Sequence, residues 1–339
     1  MSRVNILTLV EGADHVCCRY RIAAFRPHFE MAGHTLTIRV LPKGIAGRLG
    51  TYSEARDADI VILQRKLLSR FEVAWLRRRA RQLIFDFDDA IWLRDSHSGK
   101  GFDDPKRSRR FRAIANAADA LIAGNSILAD YARKHSDAAR VSVIPTCIDL
   151  SNYAARVEKP ADGSVRMVWI GSSSTLKGLE TQRPLFEALG RTVPNLRFKV
   201  ICNRFPEFEY LPVDAVLWNA ATEAAELAAA DIGIGWVPDD PWSRGKCALK
   251  LLQYHAAGLP VVANPVGIQA DIVRPGINGF HATTHEEWIA TIRALATDAP
   301  LRRRLGDAGR EQVHTSYSVD VGGAAWVELI GRLGQGTPC

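Results

Sequence analysis

The stretch Arg244-Gly245-Lys246-Cys247-Ala248-Leu249-Lys250-Leu251-Leu252-Gln253-Tyr254-His255-Ala256-Ala257-Gly258-Leu259-Pro260-Val261-Val262 holds one helix and one strand of an α/β chain. A loop rich in Pro and Asp leads into a helix that begins at Gly245 or Lys246. Gly258 closes the helix, and Pro260 opens a buried strand. A helix start leaves backbone amides without intrahelical partners, and these attract anions. Arg244, Lys246 and Lys250 stand beside that start. Lys246 and Lys250 are four apart on one expected helical face, where like charges repel mildly unless an anion lies between them. A solvated basic face accounts for the same spacing.

Working outward, short apolar runs alternate with amphipathic stretches in both directions, the pattern of a parallel sheet wrapped by helices. Strands are expected at Val4–Val10, Thr35–Leu41, Ala58–Leu63, Gln82–Asp86, Ala120–Ala123 and Val141–Ile144. A second series follows at Val165–Ile170, Leu196–Cys202, Ala215–Trp218, Ile232–Trp236 and Pro260–Ala263. Helices are expected over Arg19–Ala32, over Ser126–His135 with Asn125 or Ser126 as cap, from the loop after Ile170 to Leu189, and over Lys246–Ala257. Thr146 to Ser164 lacks periodicity and includes Pro160 and Gly163, which suggests a linker. The expectation is therefore an α/β protein of two doubly wound domains facing a central cleft. Residues 1–150 would form the first domain and 151–318 the second, with 319–339 a last helix placed to pack back on the first.

Composition supports a globular chain: 339 residues, 47% hydrophobic and 24% charged. No basic leader precedes an apolar core at the start, and no run approaches the roughly 18–20 apolar residues of a spanning helix. A cytoplasmic protein is the expectation. The six cysteines lack metal-binding or redox spacing, so reduced, buried thiols are expected and no metal. The net charge of +7 is uneven: residues 1–150 hold 25 Lys and Arg against 17 Asp and Glu, and the remainder is near neutral. Two stretches concentrate it, Phe71–Arg81 and Lys106–Arg112, where basic residues interleave with Phe71, Trp75 and Phe111. That mixture suits an anionic membrane surface, and plain solvated helix faces suit it equally. No nucleic-acid motif accompanies it.

Two further segments could carry chemistry. Trp169-Ile170-Gly171-Ser172-Ser173-Ser174-Thr175-Leu176-Lys177-Gly178 is a strand running into a small-residue loop with one Lys before a helix. Such a turn either cradles a phosphate or is an ordinary polar connection. Leu176 excludes a Walker loop, which requires Gly before the Lys. In Phe85-Asp86-Phe87-Asp88-Asp89, a strand ends in three carboxylates, and alternation aims Asp86 and Asp88 to the same side. Ligand contacts belong at a strand's carboxyl end, and capping of the next element is the alternative. Asp14, His15 and His97 are weaker candidates.

The helix followed by Ala256-Ala257-Gly258-Leu259-Pro260-Val261-Val262-Ala263, then Asn264-Pro265-Val266-Gly267-Ile268 and Pro275-Gly276-Ile277-Asn278-Gly279-Phe280, resembles the donor domain of family 4 glycosyltransferases. The similarity implies a GT-B fold and retaining, metal-independent transfer. Lys177-Gly178 is similar to the family's Lys-Gly on the donor phosphate. Cys18-Arg19-Tyr20-Arg21 with Gly33 resembles its first helix, and Ile144-Pro145 with Ile148-Asp149 its interdomain linker. Gly12 resembles the loop that approaches the donor. The family usually carries two Glu with seven residues between them, but here those positions fall on Gly245 and Gln253. Gln253 can still hydrogen-bond a ribose, whereas Gly245 has no side chain for the sugar. Ser172 replaces a common Arg. A branch with a Gly-Lys-Cys donor loop fits best.

The resemblance thus implies a glycosyltransferase using a UDP- or GDP-sugar, with a glycan or lipid-linked acceptor. Lys177, Lys246 and Asp88 are the expected catalytic residues. Gly12, Gly171, Ser172, Lys177, Arg244, Gly245, Lys246, Cys247, Ala248, Leu249, Lys250 and Gln253 are expected at the donor. The absent carboxylates leave a second reading open, a non-catalytic nucleotide or glycan binder.

Overall fold

The computed structural model describes residues 3–154 and 163–335. The chain divides into two compact units. Unit 1 takes the chain up to Cys147, the segment Asp240–Cys247 and the chain from Val319 on; unit 2 takes Ile148–Asp239 and Ala248–Ser318.

Unit 1 begins with β1 (Asn5–Val10), β2 (Thr35–Val40), β3 (Ile60–Gln64), β4 (Gln82–Phe87), β5 (Ala120–Ala123) and β6 (Val141–Val143). They form one parallel sheet in the order β2-β1-β3-β4-β5-β6. Its helices are α1 (Val16–Arg21), α2 (Arg26–Met31), α3 (Ile45–Thr51), α4 (Arg70–Arg77), α5 (Pro105–Ala117) and α6 (Ser126–Arg133). Side chains alternate across each strand. Ile60 and Ile62 therefore join a core with Phe25 and Phe29, while Val61 and Leu63 join another with Phe85, Phe87 and Phe111. Burial on both faces of β1, β3, β4 and β5 explains why those strands read as near-continuous apolar runs.

Unit 2 has β7 (Val165–Ile170), β8 (Leu196–Cys202), β9 (Val213–Leu217), β10 (Ile232–Gly235), β11 (Val261–Ala263) and β12 (Gly279–His281), ordered β12-β11-β10-β7-β8-β9. Its helices are α7 (Ser173–Glu180), α8 (Arg183–Thr192), α9 (Glu223–Ala228), α10 (Leu249–Ala256), α11 (Gln269–Ile272), α12 (His285–Thr297) and α13 (Ala299–Ser316). The strand order reverses direction between β7 and β10, and in unit 1 between β1 and β3. Open α/β sheets bind ligands at such switch points. The last helix, α14 (Val319–Gln335), belongs to unit 1. Its Trp326 lies 6.4 Å from the Phe25 ring and 6.3 Å from the Phe29 ring.

Three expected helices differ. Arg19–Ala32 is broken: α1 stops at Arg21, Ala23–Phe25 is a 3-10 turn, and α2 restarts with Pro27 in its first turn. Proline has no N–H and clashes with the preceding turn, so it starts a helix rather than continuing one. Pro184 opens α8 and parts it from α7 in the same way. The third, over Lys246–Ala257, begins only at Leu249. Ser243–Gly245 is a 3-10 turn, Lys246 is extended, and Ala248 is left-handed at φ 50°. Strand β12, only three residues long, was too short to announce itself by periodicity. Of the expected linker, residues 155–162 lie outside the described residues.

Helix α10 carries a fully buried histidine, His255. Burial pushes its imidazole down to about 4, with Arg274 adding to the shift against a hydrogen bond to the Leu259 carbonyl. An unfolded His titrates near 6.5, so below that pH the unfolded chain binds more protons. The stability from His255 is therefore present above pH ~6.5 and is lost as pH falls toward 4, roughly 3–4 kcal/mol in all, of which about 2–3 kcal/mol goes between pH 7 and 4.5. Urea titrations at pH 7 and 4.5 are expected to show a smaller loss in His255→Gln by that difference.

Candidate functional site

In unit 2, β7 ends at Ile170 and the chain passes through Gly171 and Ser172 straight into α7. A Cβ at Gly171 would lie 2.5 Å from the Trp169 ring, 2.7 Å from Lys250 Nζ and 2.7 Å from Thr175 Oγ1. Only glycine lets the backbone pass that close. Lys250 comes from the first turn of α10. Its ammonium sits 4.0 Å from the Trp169 ring centroid and donates to Thr175 Oγ1 at 3.4 Å. A cation thus stands at the carboxyl end of β7, on the switch-point strand. The helix-start amides are partly engaged already: Ser172 N donates to Thr175 Oγ1 (3.2 Å) and Ser173 N to Asn203 Oδ1 (3.0 Å).

In unit 1, the carboxylates at and just past the end of β4 are locked into ion pairs, fully buried at Asp86 and partly buried at Asp88 and Asp89. Arg21 Nε is 3.1 Å from both Asp86 oxygens, its Nη2 also reaches Asp86, and its Nη1 donates to the Ile144 carbonyl. Both side chains are essentially inaccessible, at 1% and 0% exposure. Burial disfavours the guanidinium, but the Asp86 carboxylate holds it charged. Arg65 forks across the next two carboxylates, 2.8 Å to Asp88 and 2.9 Å to Asp89. Burial opposes ionisation of Asp88, yet Arg65 and then Arg21 keep its carboxyl below the usual range. Asp89 is raised, by burial first, against Arg65 and Lys246. Arg65 itself is left-handed, at φ 56°. A non-glycine residue persists there only where its surroundings over-determine it, and two charge-assisted bonds do so here.

The segment Asp240–Cys247 packs on this cluster. Asn125 caps α6 through Oδ1 to Leu128 N, and its Nδ2 reaches the Gly245 and Lys246 carbonyls at 3.3 and 3.0 Å. A Cβ at Gly245 would lie 2.8 Å from Ala90 Cβ and 3.1 Å from Leu128 Cδ2, so no carboxylate-bearing side chain fits at this position. The Lys246 ammonium sits 3.6 Å from the Trp242 ring centroid. Burial lowers its pKa, and Asp89 draws it back.

Residues 180–325 match a family described as glycosyl transferase-like. No curated protein matches in sequence. Solved structures do. Sucrose-phosphate synthase from Thermosynechococcus elongatus superposes with a TM-score of 0.79 at 16% identity, covering 98% of this chain and 100% of the other. A glycosyltransferase from Rickettsia africae gives 0.73 at 12% identity, covering 99% and 100%. The Anabaena protein HepE, solved with UDP and glucose, gives 0.70 at 16%, covering 97% and 100%. The fold is that of GT-B glycosyltransferases.

Within this GT-B chain, the sequence-predicted residues fall in different places. Gly171, Ser172 and Lys250 come together at the end of β7, joined there by Thr175, which the sequence did not single out. Lys177 lies within α7, exposed, one turn beyond the expected loop. Lys246 and Lys250 do not share a helical face, because the left-handed Ala248 separates them and the first belongs to unit 1. Arg244, Gly245, Lys246 and Cys247 are likewise in unit 1, while Ala248 and Leu249 begin the return into unit 2. Gln253 is buried and donates to the Tyr153 hydroxyl at 3.2 Å. Gly12 accepts from His15 N in a turn, and His15 caps α1. Asp14 and His97 are exposed. Sequence reasoning missed the roles of Arg21 and Arg65, whose partners lie 65 and 23–24 residues away; no local signal marks such pairs. The two basic stretches lie on α4 and the turn after it and on α5; Phe71 is 57% exposed, and Arg70, Arg109 and Arg112 line a shared pocket. Among the described residues no helix is long and apolar enough to cross a membrane.

Proposed function

We propose that this protein transfers a sugar from a UDP- or GDP-sugar to a glycan or lipid-linked acceptor. The observation that carries the reading is the Lys250 ammonium held at the switch-point strand β7 beside Gly171, in a chain whose residues 180–325 are glycosyl transferase-like. Charge develops on the leaving diphosphate as the glycosidic bond breaks, and a preorganised cation stabilises that charge more than the ground state. Lys250 and Lys177 supply it, with Gly171 allowing close backbone approach. Asp88 and Lys246, drawn together with Arg65 and Asp89, serve the acceptor side by holding the Asp240–Cys247 segment in shape. HepE, with UDP and glucose bound, is the structural parallel for the donor.

Retention, independence from metal and docking of the Phe71 face on an anionic bilayer belong to this reading through the family resemblance and the exposed arginines. Anomeric NMR of the product, turnover in chelator and co-sedimentation with anionic vesicles check these in turn. The central test is incubation with labelled UDP- and GDP-sugars. Release of nucleoside diphosphate supports transfer; saturable binding without release favours the non-catalytic binder.

A further inference from the structure

The switch point of unit 1, between β1 and β3, opens into a cavity of about 430 Å³. Glu11, just past β1, and Arg65 to Leu67, just past β3, form one side; Lys106, Arg107 and Arg110 from α5 form another. This is where an open α/β sheet takes a ligand, and the volume suits a small molecule.

The lining charge is five basic residues against two acidic, Glu11 and Asp104, and both acids are engaged. Glu11 pairs with Lys66 at 2.7 Å. Asp104 caps α5 through Lys106 N and Arg107 N, and it also pairs with Arg94. Arg65 is taken by Asp88 and Asp89. Lys106 and Arg110, by contrast, have no carboxylate within salt-bridge reach among the described residues, and Arg110 makes only a long bond to the Leu67 carbonyl. They stand four apart on α5 and both face the cavity, like charges that repel unless an anion is shared between them. An Arg fork beside a Lys point charge, over the apolar floor of Leu67 and Ile91, is suited to phosphate oxygens.

We propose that this cavity binds the phosphate or diphosphate of an anionic acceptor, through Lys106 and Arg110. The inference rests on the sugar-transfer reading for the word acceptor, but phosphate binding there does not need it. The test titrates the full chain with inorganic pyrophosphate by calorimetry. All samples carry Lys177→Ala and Lys250→Ala, so that the two cations proposed for the donor in unit 2 contribute nothing. Adding Lys106→Ala with Arg110→Ala is expected to weaken binding at least tenfold, and Lys106→Arg with Arg110→Lys to restore most of it. Pyrophosphate affinity unchanged by the alanine pair overturns the proposal. Because no turnover is read, failure of sugar transfer appears separately, as no diphosphate released from any donor.

With Lys177 and Lys250 intact, two acceptors distinguish the source of the phosphate: a short-chain polyprenyl diphosphate sugar in detergent and a free hexose 1-phosphate. A KM raised at least tenfold by the alanine pair for either one supports the site and identifies the source. An unchanged KM for both overturns it.

Discussion

Asp86→Asn is expected to lower the stability of the protein by about 3–5 kcal/mol, the cost of leaving one member of a buried ion pair uncompensated. Asp86 is fully buried and neutralises an equally buried Arg21. An amide at that position keeps the shape but leaves the guanidinium charged, because an arginine does not deprotonate. For a unit of this size the loss corresponds to a melting temperature lower by roughly 10 °C. Denaturant titration and thermal unfolding of the variant check it. Replacing both partners, as Arg21→Met with Asp86→Leu, is expected to recover much of the loss, since hydrophobic substitutes for a buried pair are often neutral. A single variant less than about 1 kcal/mol below the wild type would show that water reaches the pair.

Lys250→Ala is expected to reduce kcat/KM for sugar transfer by about 10²–10³, the usual effect of removing one preorganised group that meets developing charge. The Lys250 side chain is only partly buried and packs on one face of Trp169, so the fold is expected to tolerate the change. Steady-state kinetics with the productive nucleotide sugar, alongside thermal unfolding, separate lost catalysis from lost structure. If nucleoside diphosphate is released at the wild-type rate, the donor phosphate does not sit at the end of β7. Lys177→Ala is the natural comparison, because it removes a cation one turn further along α7.

Much of this was legible in the residues. The alternation of β-branched runs with amphipathic stretches pointed to two parallel sheets, since burial on both faces demands continuous apolar strands and helices must cover them. Gly171 and Lys250 were both expected at the donor, and they lie together. The position of Gly245 was legible only as an absence. The structure supplies the reason, because Ala90 and Leu128 occupy the space a side chain would need. The broken helices at Pro27 and Pro184 were visible in principle, as proline restarts a helix by rule.

By itself the sequence determined the α/β class, the two series of strands and the loops at their carboxyl ends. These follow from local periodicity and turn chemistry, which act over a few residues. Only the tertiary structure decided that Asp240–Cys247 packs with unit 1, that Ala248 turns left-handed and parts Lys246 from Lys250, and that Arg21 and Arg65 absorb the carboxylates at and just past the end of β4. Those outcomes depend on which charges and surfaces meet across long separations in the chain. A strained φ or a buried ion pair persists only when the surrounding packing compensates for it, and no local pattern encodes that packing.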